Sequence, residues 1–534
     1  MNTLIPRTII KRVLHQIVFF SLIINHGDHI ALANQLNLQN KNSSENKLSF
    51  KTKKILKDFV QYQKIKNDKL QWIDNIKVNK KEIISLKNLE EILKENNPEL
   101  QILKSRIQQS KYLLKSRLSE WYPKLNLTSA GLPKYLSGNT YNELGTDTSS
   151  SQSKASINAK LQWDLINPLR IKEIENARNN LENEKIIYSI KYRDLNLKAH
   201  DAFFKLQKSR QDILIAEQSL KTSEILLKEA NIRLESGIGT KLEVLEAKTQ
   251  LSNDKQFLAE KHGIQKIDER KLAQLLYLKP NTSPQIEEIP AIIGVWKASI
   301  EESVISSYLY REEIEQLLLK VSINNNKAKI ALARNKPKVS IYNSFESSIA
   351  KGEIISQSPR SSNTIKSHNN TIGLQFEWPI FDGGYAKANY NASKEKAKEI
   401  EAEILVKRAE IRKEIEEIFY NLEIAKNKIK NTYNSIQSTR ESLRLSYLRL
   451  KEGIATQREV VNNQKDVTQA EVNYIKAITD YNTNLIYLKN KTGINSLKNC
   501  PRPENSTKSL KTNNLSSHQS QDSLLLISSC MKFL

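Results

Sequence analysis

Apolar and polar residues alternate strictly from Ile372 to Trp378: Ile372, Leu374, Phe376 and Trp378 fall on one side, Gly373, Gln375 and Glu377 on the other. A period of two with one apolar face predicts a β-strand. Pro379, which has no N–H for a ladder, and Asp382-Gly383-Gly384 end that strand before a long Ala/Lys/Glu-rich helical run. The same hand-over stands at 156–168, where Ile157, Ala159, Leu161 and Trp163 alternate with Asn158, Lys160 and Gln162. Trp163 and Trp378 are 378 − 163 = 215 residues apart. Tyr122-Pro123-Lys124-Leu125 matches Lys336-Pro337-Lys338-Val339 at 337 − 123 = 214, and the turn Arg233–Thr240 matches Arg449–Thr456 at 453 − 237 = 216. Three anchors at nearly one offset identify an internal duplication.

The first repeat is placed at 86–280. A helix from Leu86 is interrupted at Asn97-Pro98-Glu99, where Pro98 suits a first helical position, and a second helix runs to Glu120. A strand follows Pro123, then a polar loop at 138–153, a strand to Leu165 and a helix from Pro168 to Ser236. Gly237 suits the C-cap of that helix and Thr240 the N-cap of a return helix to Leu278. After a linker at 281–299, the second repeat at 300–494 keeps the order: helix 300–335, strand 339–345, polar loop 347–370, strand 372–381, helix 385–451, a turn at Gly453 and a last helix 456–491. Helices of nearly seventy residues extend about 100 Å. They cannot bury an apolar stripe alone and must pack side by side as coiled coils. Residues 34–85 read as a polar N-terminal extension and 495–534 as a disordered C-terminal tail.

Composition narrows the class. Only 14 Gly and 13 Pro in 534 residues, with 27% charged, suits very long helices rather than many turns. The net charge of +24 is spread along the whole chain with Glu interleaved, and neither zinc-finger spacing nor an aromatic-basic signature accompanies it, so no nucleic-acid partner is expected. Arg7, Lys11 and Arg12 precede an apolar run at 13–24, and Ala31-Leu32-Ala33 supplies a cleavage site, so 1–33 reads as a secretory signal peptide. No later segment reaches the ~18 apolar residues of a spanning helix, so a membrane would be crossed by strands. Strands with open edges cannot face lipid, which demands closure into a barrel. Cys500 and Cys530 are few and peripheral. His200, His262, His368 and His518 are not at ligand spacing, and Gly237-x-Gly239 follows a helix rather than a strand. Neither an enzyme nor a cofactor site is expected.

At the strand-to-helix junction 378–384 (WPIFDGG), at the two R-L-x-x-G-x-x-T turns and in its duplication, the chain resembles the TolC family of outer-membrane efflux proteins over 86–494. The resemblance implies a mainly α protein with a transmembrane β-barrel part: a homotrimer giving 3 × 4 = 12 strands over an α-helical coiled-coil barrel. It implies a channel-tunnel that exports small molecules or proteins, joined through a periplasmic adaptor to an inner-membrane transporter, which for protein cargo is an ABC exporter. The apolar strand face would meet outer-membrane lipid, with Trp121, Tyr122, Trp163 and Trp378 as an interfacial girdle. The turns at Gly237, Gly239, Thr240, Gly453 and Thr456 would dock the adaptor, and Glu459 and Asn462 would line the pore constriction. Three copies of Glu459 would favour cations. Asn462 departs from the family's acidic pattern, and its basic and aromatic latch positions carry Ala455 and Leu450. Glu243 and Glu246 occupy the matching helix turn of the first repeat, as a solvated face. The alternative from another class is a secreted coiled-coil scaffold or adhesion protein.

Overall fold

The computed structural model describes residues 80–141, 148–355, 361–494 and 498–499. Every described residue lies within Lys80–Leu534. The expected signal peptide, most of the N-terminal extension, Cys500, Cys530 and nearly all of the tail lie outside the described residues.

Within this span the elements come in two runs of six, in one order. The first run is α1 (Leu89–Asn96), α2 (Pro98–Leu118), β2 (Lys124–Thr140), β3 (Thr148–Ile166), α3 (Pro168–Glu235) and α4 (Lys241–Leu275), preceded by a short strand β1 (Lys80–Ile83). Two more short strands, β4 (Thr282–Gln285) and β5 (Gly294–Val295), precede the second run. That run is α5 (Ile300–Tyr310), α6 (Glu312–Ala333), β6 (Lys338–Ile355), β7 (Ser361–Glu377), α7 (Tyr385–Lys451) and α8 (Gln457–Thr492), with β8 (Lys498–Asn499) after it.

Buried positions on α7 explain how so long a helix is held. Ala397, Ile400, Ile404, Ile411, Ile415 and Ile418 are buried, and Leu422, Ala425, Ile429 and Ile436 continue the stripe. From Ile404 onward, steps of three, four and seven residues keep a heptad register, the 3.5-residue period of left-handed supercoiling. On α8, Gln464, Val467, Tyr474, Ile478, Tyr481, Leu485 and Leu488 are buried at the same period, and from Tyr474 onward they share a core with α7. The middle of α3 differs. From Leu195 to Ala216 it is buried on most faces, because α1, α8 and the segment at 286–288 cover it in addition to its neighbours α2, α4 and α6.

Three expectations need correction. The strands hold 17 to 19 residues and run beyond their expected bounds, so most of the expected polar loops at 138–153 and 347–370 is ladder. Backbone hydrogen bonds do not depend on side-chain polarity, so the register continues past the apolar stretch. The helix expected at 300–335 breaks at Arg311, whose backbone is extended (φ −77°, ψ 118°). Asn97 has the same conformation (φ −71°, ψ 118°) at the matching place in the first run, where Pro98 forces it. The expected linker is also structured: β4 pairs in parallel with β1, and β5 pairs with β8.

Candidate functional site at the sheet and the helical tip

Four strands form one antiparallel sheet in the order β2-β3-β6-β7. Facing pairs share a side of the sheet, so the register sorts side chains without ambiguity. Leu125 lies opposite Leu161, which lies opposite Asn343, which lies opposite Ile372. Leu127 and Ala159, Trp163 and Ile341, and Val339 and Phe376 occupy that same side. One face is therefore predominantly apolar across all four strands, with Asn343 and Asn370 set among the apolar side chains. It is also bare: Leu127 is 74% exposed, Leu374 71% and Phe376 65%. Leaving such side chains in water forgoes about 1.5–3 kcal/mol each. The polar face carries Asn126, Lys160, Ser344 and Thr371 in one row. The outer edges of β2 and β7 have no ladder partner among the described residues.

At the base of the sheet each hairpin is tied to the helix before it in the same way. Trp163 Nε1 donates to the Trp121 carbonyl oxygen at 2.9 Å, and Trp378 Nε1 donates to that of Asn335 at 3.1 Å. Tyr122 and Trp378 remain exposed. Arg170, fully buried, stacks its guanidinium 3.8 Å from the Trp121 ring centre and donates to the carbonyl oxygens of Glu120, Asp164 and Leu165. The second hand-over depends on Asp382, which accepts from Gly384 N, Ala386 N and Asn335 Nδ2. These donors, first the Asn335 amide, hold its carboxyl below the ordinary range. The structure thus gathers the four aromatic residues at one end of the sheet.

At the other end of the long helices the two turns agree bond for bond. Gly237 N donates to Leu234 O and Ile238 N to Arg233 O; Gly453 N donates to Leu450 O and Ile454 N to Arg449 O. Gly237 and Gly453 both have φ +74°, the left-handed region that favours glycine. Thr240 and Thr456 cap the return helices by accepting from Glu243 N and Glu459 N at 3.3 Å. Ile238 (71% exposed) and Ile454 (70%) stand out from the turns.

The two copies diverge at their carboxylates. Glu243 closes a capping box by accepting from Thr240 N, whereas Glu459 accepts from Arg449 Nη1 at 2.8 Å. Glu459 is thus half of an ion pair rather than a bare charge. Asn462 is exposed one turn on, and Leu450 belongs to a buried cluster with Leu226, Val460 and Val461, packed against Ala455. Near the tip, several contacts join the first helical hairpin to the second, among them Gln457 Nε2 donating to the Leu226 carbonyl oxygen at 3.4 Å. Tyr447 donates to Glu229, Arg458 pairs with Glu246, and Arg233 Nη1 donates to the Leu450 carbonyl oxygen at 3.1 Å. Burial pushes the Tyr447 phenol up, to about 12, reinforced by its bond to Glu229. The sequence places Arg449 in the turn motif and Glu246 on a solvated face, and marks neither Tyr447 nor Arg458. The match of Arg449 to Arg233 was the available signal.

A third cluster ties the repeats together midway. Arg193 pairs with Glu312 and Glu313, Arg311 with Glu313 and Glu414, and Lys491 with Glu414. No group of three metal-ligating side chains occurs among the described residues. His200 is buried with Nδ1 2.8 Å from the Asn196 carbonyl oxygen, as a core residue.

Comparison with known proteins agrees with this geometry. The sequence matches the family described as outer membrane efflux protein at residues 89–276 and 309–493. A search of curated proteins finds no match. Among solved structures, the outer membrane protein VceC from Vibrio cholerae is similar at 14% identity and TM-score 0.62, over 76% of this chain and 96% of that one. The CmeC outer membrane channel of Campylobacter jejuni is similar at 15% and 0.62, over 76% and 85%. The outer-membrane channel OprN is similar at 16% and 0.62, over 76% and 89%.

Proposed function

The chain belongs to the outer membrane efflux protein family, and on that premise we propose that it is the outer-membrane channel of a tripartite exporter, closed as a homotrimer. The observation that carries the reading is the sheet. Four strands with a bare apolar face and two open edges cannot persist in water or lipid as they stand. Closing edge β2 of one copy on edge β7 of the next removes both edges. Three copies give 3 × 4 = 12 strands, the apolar face towards lipid and the polar face inward. Trp121, Tyr122, Trp163 and Trp378 then mark the periplasmic interface.

The long helices continue the barrel as a tunnel, with 1–33 serving as the export signal. Gly237, Gly239, Thr240, Gly453 and Thr456 shape the adaptor-docking tips, where Ile238 and Ile454 supply apolar contact. An inner-membrane transporter, coupled through that adaptor, supplies the energy. Glu459 and Asn462 line the constriction, which the Arg449–Glu459 pair makes polar rather than acidic. Tyr447–Glu229 and Arg458–Glu246 clasp the inner hairpin to the outer one and hold the constriction shut. A scaffold or adhesion protein would have no use for a continuous lipid-facing band.

Single-channel recording on the purified full-length protein tests this. Discrete conductance steps are expected, with longer openings in the Tyr447→Phe/Arg458→Ala double variant. A folded protein that gives no steps, in either form, removes the channel.

A further inference from the structure

The polar face of the sheet carries more lysine than carboxylate. Register places Lys124, Lys134, Lys154, Lys160 and Lys338 on it, against Asp164, Glu346 and Glu377. The balance is 5 − 3 = +2 for each protomer among the described residues. Two of the three acids sit against one lysine, Lys338, while Glu346 faces Asn158 and Asn369 and has no ion pair among the described residues. Asp164 pairs with Lys338 at 3.1 Å, and Glu377 lies directly opposite Lys338 at the base.

Lys134 and Lys154 are the uncompensated pair. They face each other across β2 and β3, and neither has an ion-pair partner among the described residues. Like charges directly opposite on one face weaken a strand pair. This arrangement therefore costs stability, and the cost falls if an anion lies between the two ammonium groups. The pair lies 163 − 154 = 9 residues above Trp163 on β3, about 30 Å along the strand. With the usual barrel tilt that is about the height of the apolar band, which puts the pair at the outer mouth.

We propose that the barrel selects anionic solutes, and that Lys134 and Lys154 set this selectivity as a ring of six ammonium groups at its outer end. The inference rests on the trimeric channel reading above and names the substrate class that such a channel passes. Below that ring, Lys160 projects over the Tyr342 ring at 5.1 Å, and Lys124 adds a further positive level. At the tip no opposing acidic filter remains at Glu459, because Arg449 neutralises it. A charged collar within a Debye length of passing ions raises the local anion concentration. Cargo consistent with it carries carboxylate, sulfonate or phosphate groups.

The test is the reversal potential of the full-length protein in a planar bilayer under a KCl gradient. Wild-type channels are expected to prefer chloride. Lys134→Gln/Lys154→Gln should shift the chloride-to-potassium permeability ratio about threefold towards potassium. Lys134→Arg/Lys154→Arg should keep the wild-type value, and Glu459→Gln should change it less than the double Gln variant. A potassium-selective wild type, or a ratio unmoved in a Gln variant that still conducts, overturns the anion filter and leaves the channel intact. Absence of steps in every variant and in the wild type removes the channel reading and this inference with it.

Discussion

Gly239 and Ala455 occupy one position in two copies of the same turn, and the difference between them is instructive. A Cβ added at Gly239 would lie 2.9 Å from Arg233 Cβ. In the second copy, where Ala455 carries that methyl, its N–H reaches the Arg449 carbonyl oxygen at 3.2 Å rather than the 2.8 Å of Gly239. The turn yields to accept the methyl. At Gly453 no atom lies within 4 Å of an added Cβ, so only the φ of +74° resists substitution. Gly453→Ala is therefore expected to cost about 1–2 kcal/mol of turn stability, and Gly239→Ala much less. Amide exchange across 449–456 and 233–240 in the two variants checks the order, and faster exchange in Gly239→Ala would contradict it. The glycines and threonines of the tip were legible because their backbone roles restrict residue type. The clasp was not: Tyr447–Glu229 and Arg458–Glu246 join helices 218 and 212 residues apart, and nothing local marks either partner.

Arg311 shows the same asymmetry for whole elements. Its extended backbone divides α5 from α6 as Asn97 divides α1 from α2. Pro98 announces the first break, whereas the second is held by ion pairs that reach α3, α7 and α8. Arg311→Ala leaves Glu313 and Glu414 short of a buried partner and is expected to cost about 3 kcal/mol. The acid response has a definite sign. Burial alone would raise the Glu313 carboxyl, but the Arg311 hydrogen bond and the Arg193 and Arg311 charges outweigh it and hold it at about 2. Its folded value lies below the ordinary one of about 4.3. The stabilisation is thus complete above pH about 4.3 and is lost as pH falls towards 2. Thermal unfolding followed from pH 6 down to 2.5 should show this loss in wild type and less of it in Glu313→Gln. Equal acid sensitivity in both would contradict the assignment. Strand ends were less legible than helix ends. The apolar alternation that marks β3 and β7 stops partway along them, while their hydrogen-bonded ladders run on.

For the whole molecule, the duplication and the long paired helices followed from three sequence anchors and a heptad period, because both repeat. Charge was harder to read. A net +24 spread over the chain looks like compositional bias until strand register sorts residues by face and sets Lys134 against Lys154. The open-edged sheet, on the reading proposed above, is closed by further copies of itself. Native mass spectrometry of the full-length protein, released from membranes in detergent, tests that most directly. A species of three protomers is expected, lost when the β2 and β7 edges are blocked by proline at Leu127 and Ile372. A folded, monodisperse single protomer that stays in solution without detergent would contradict it.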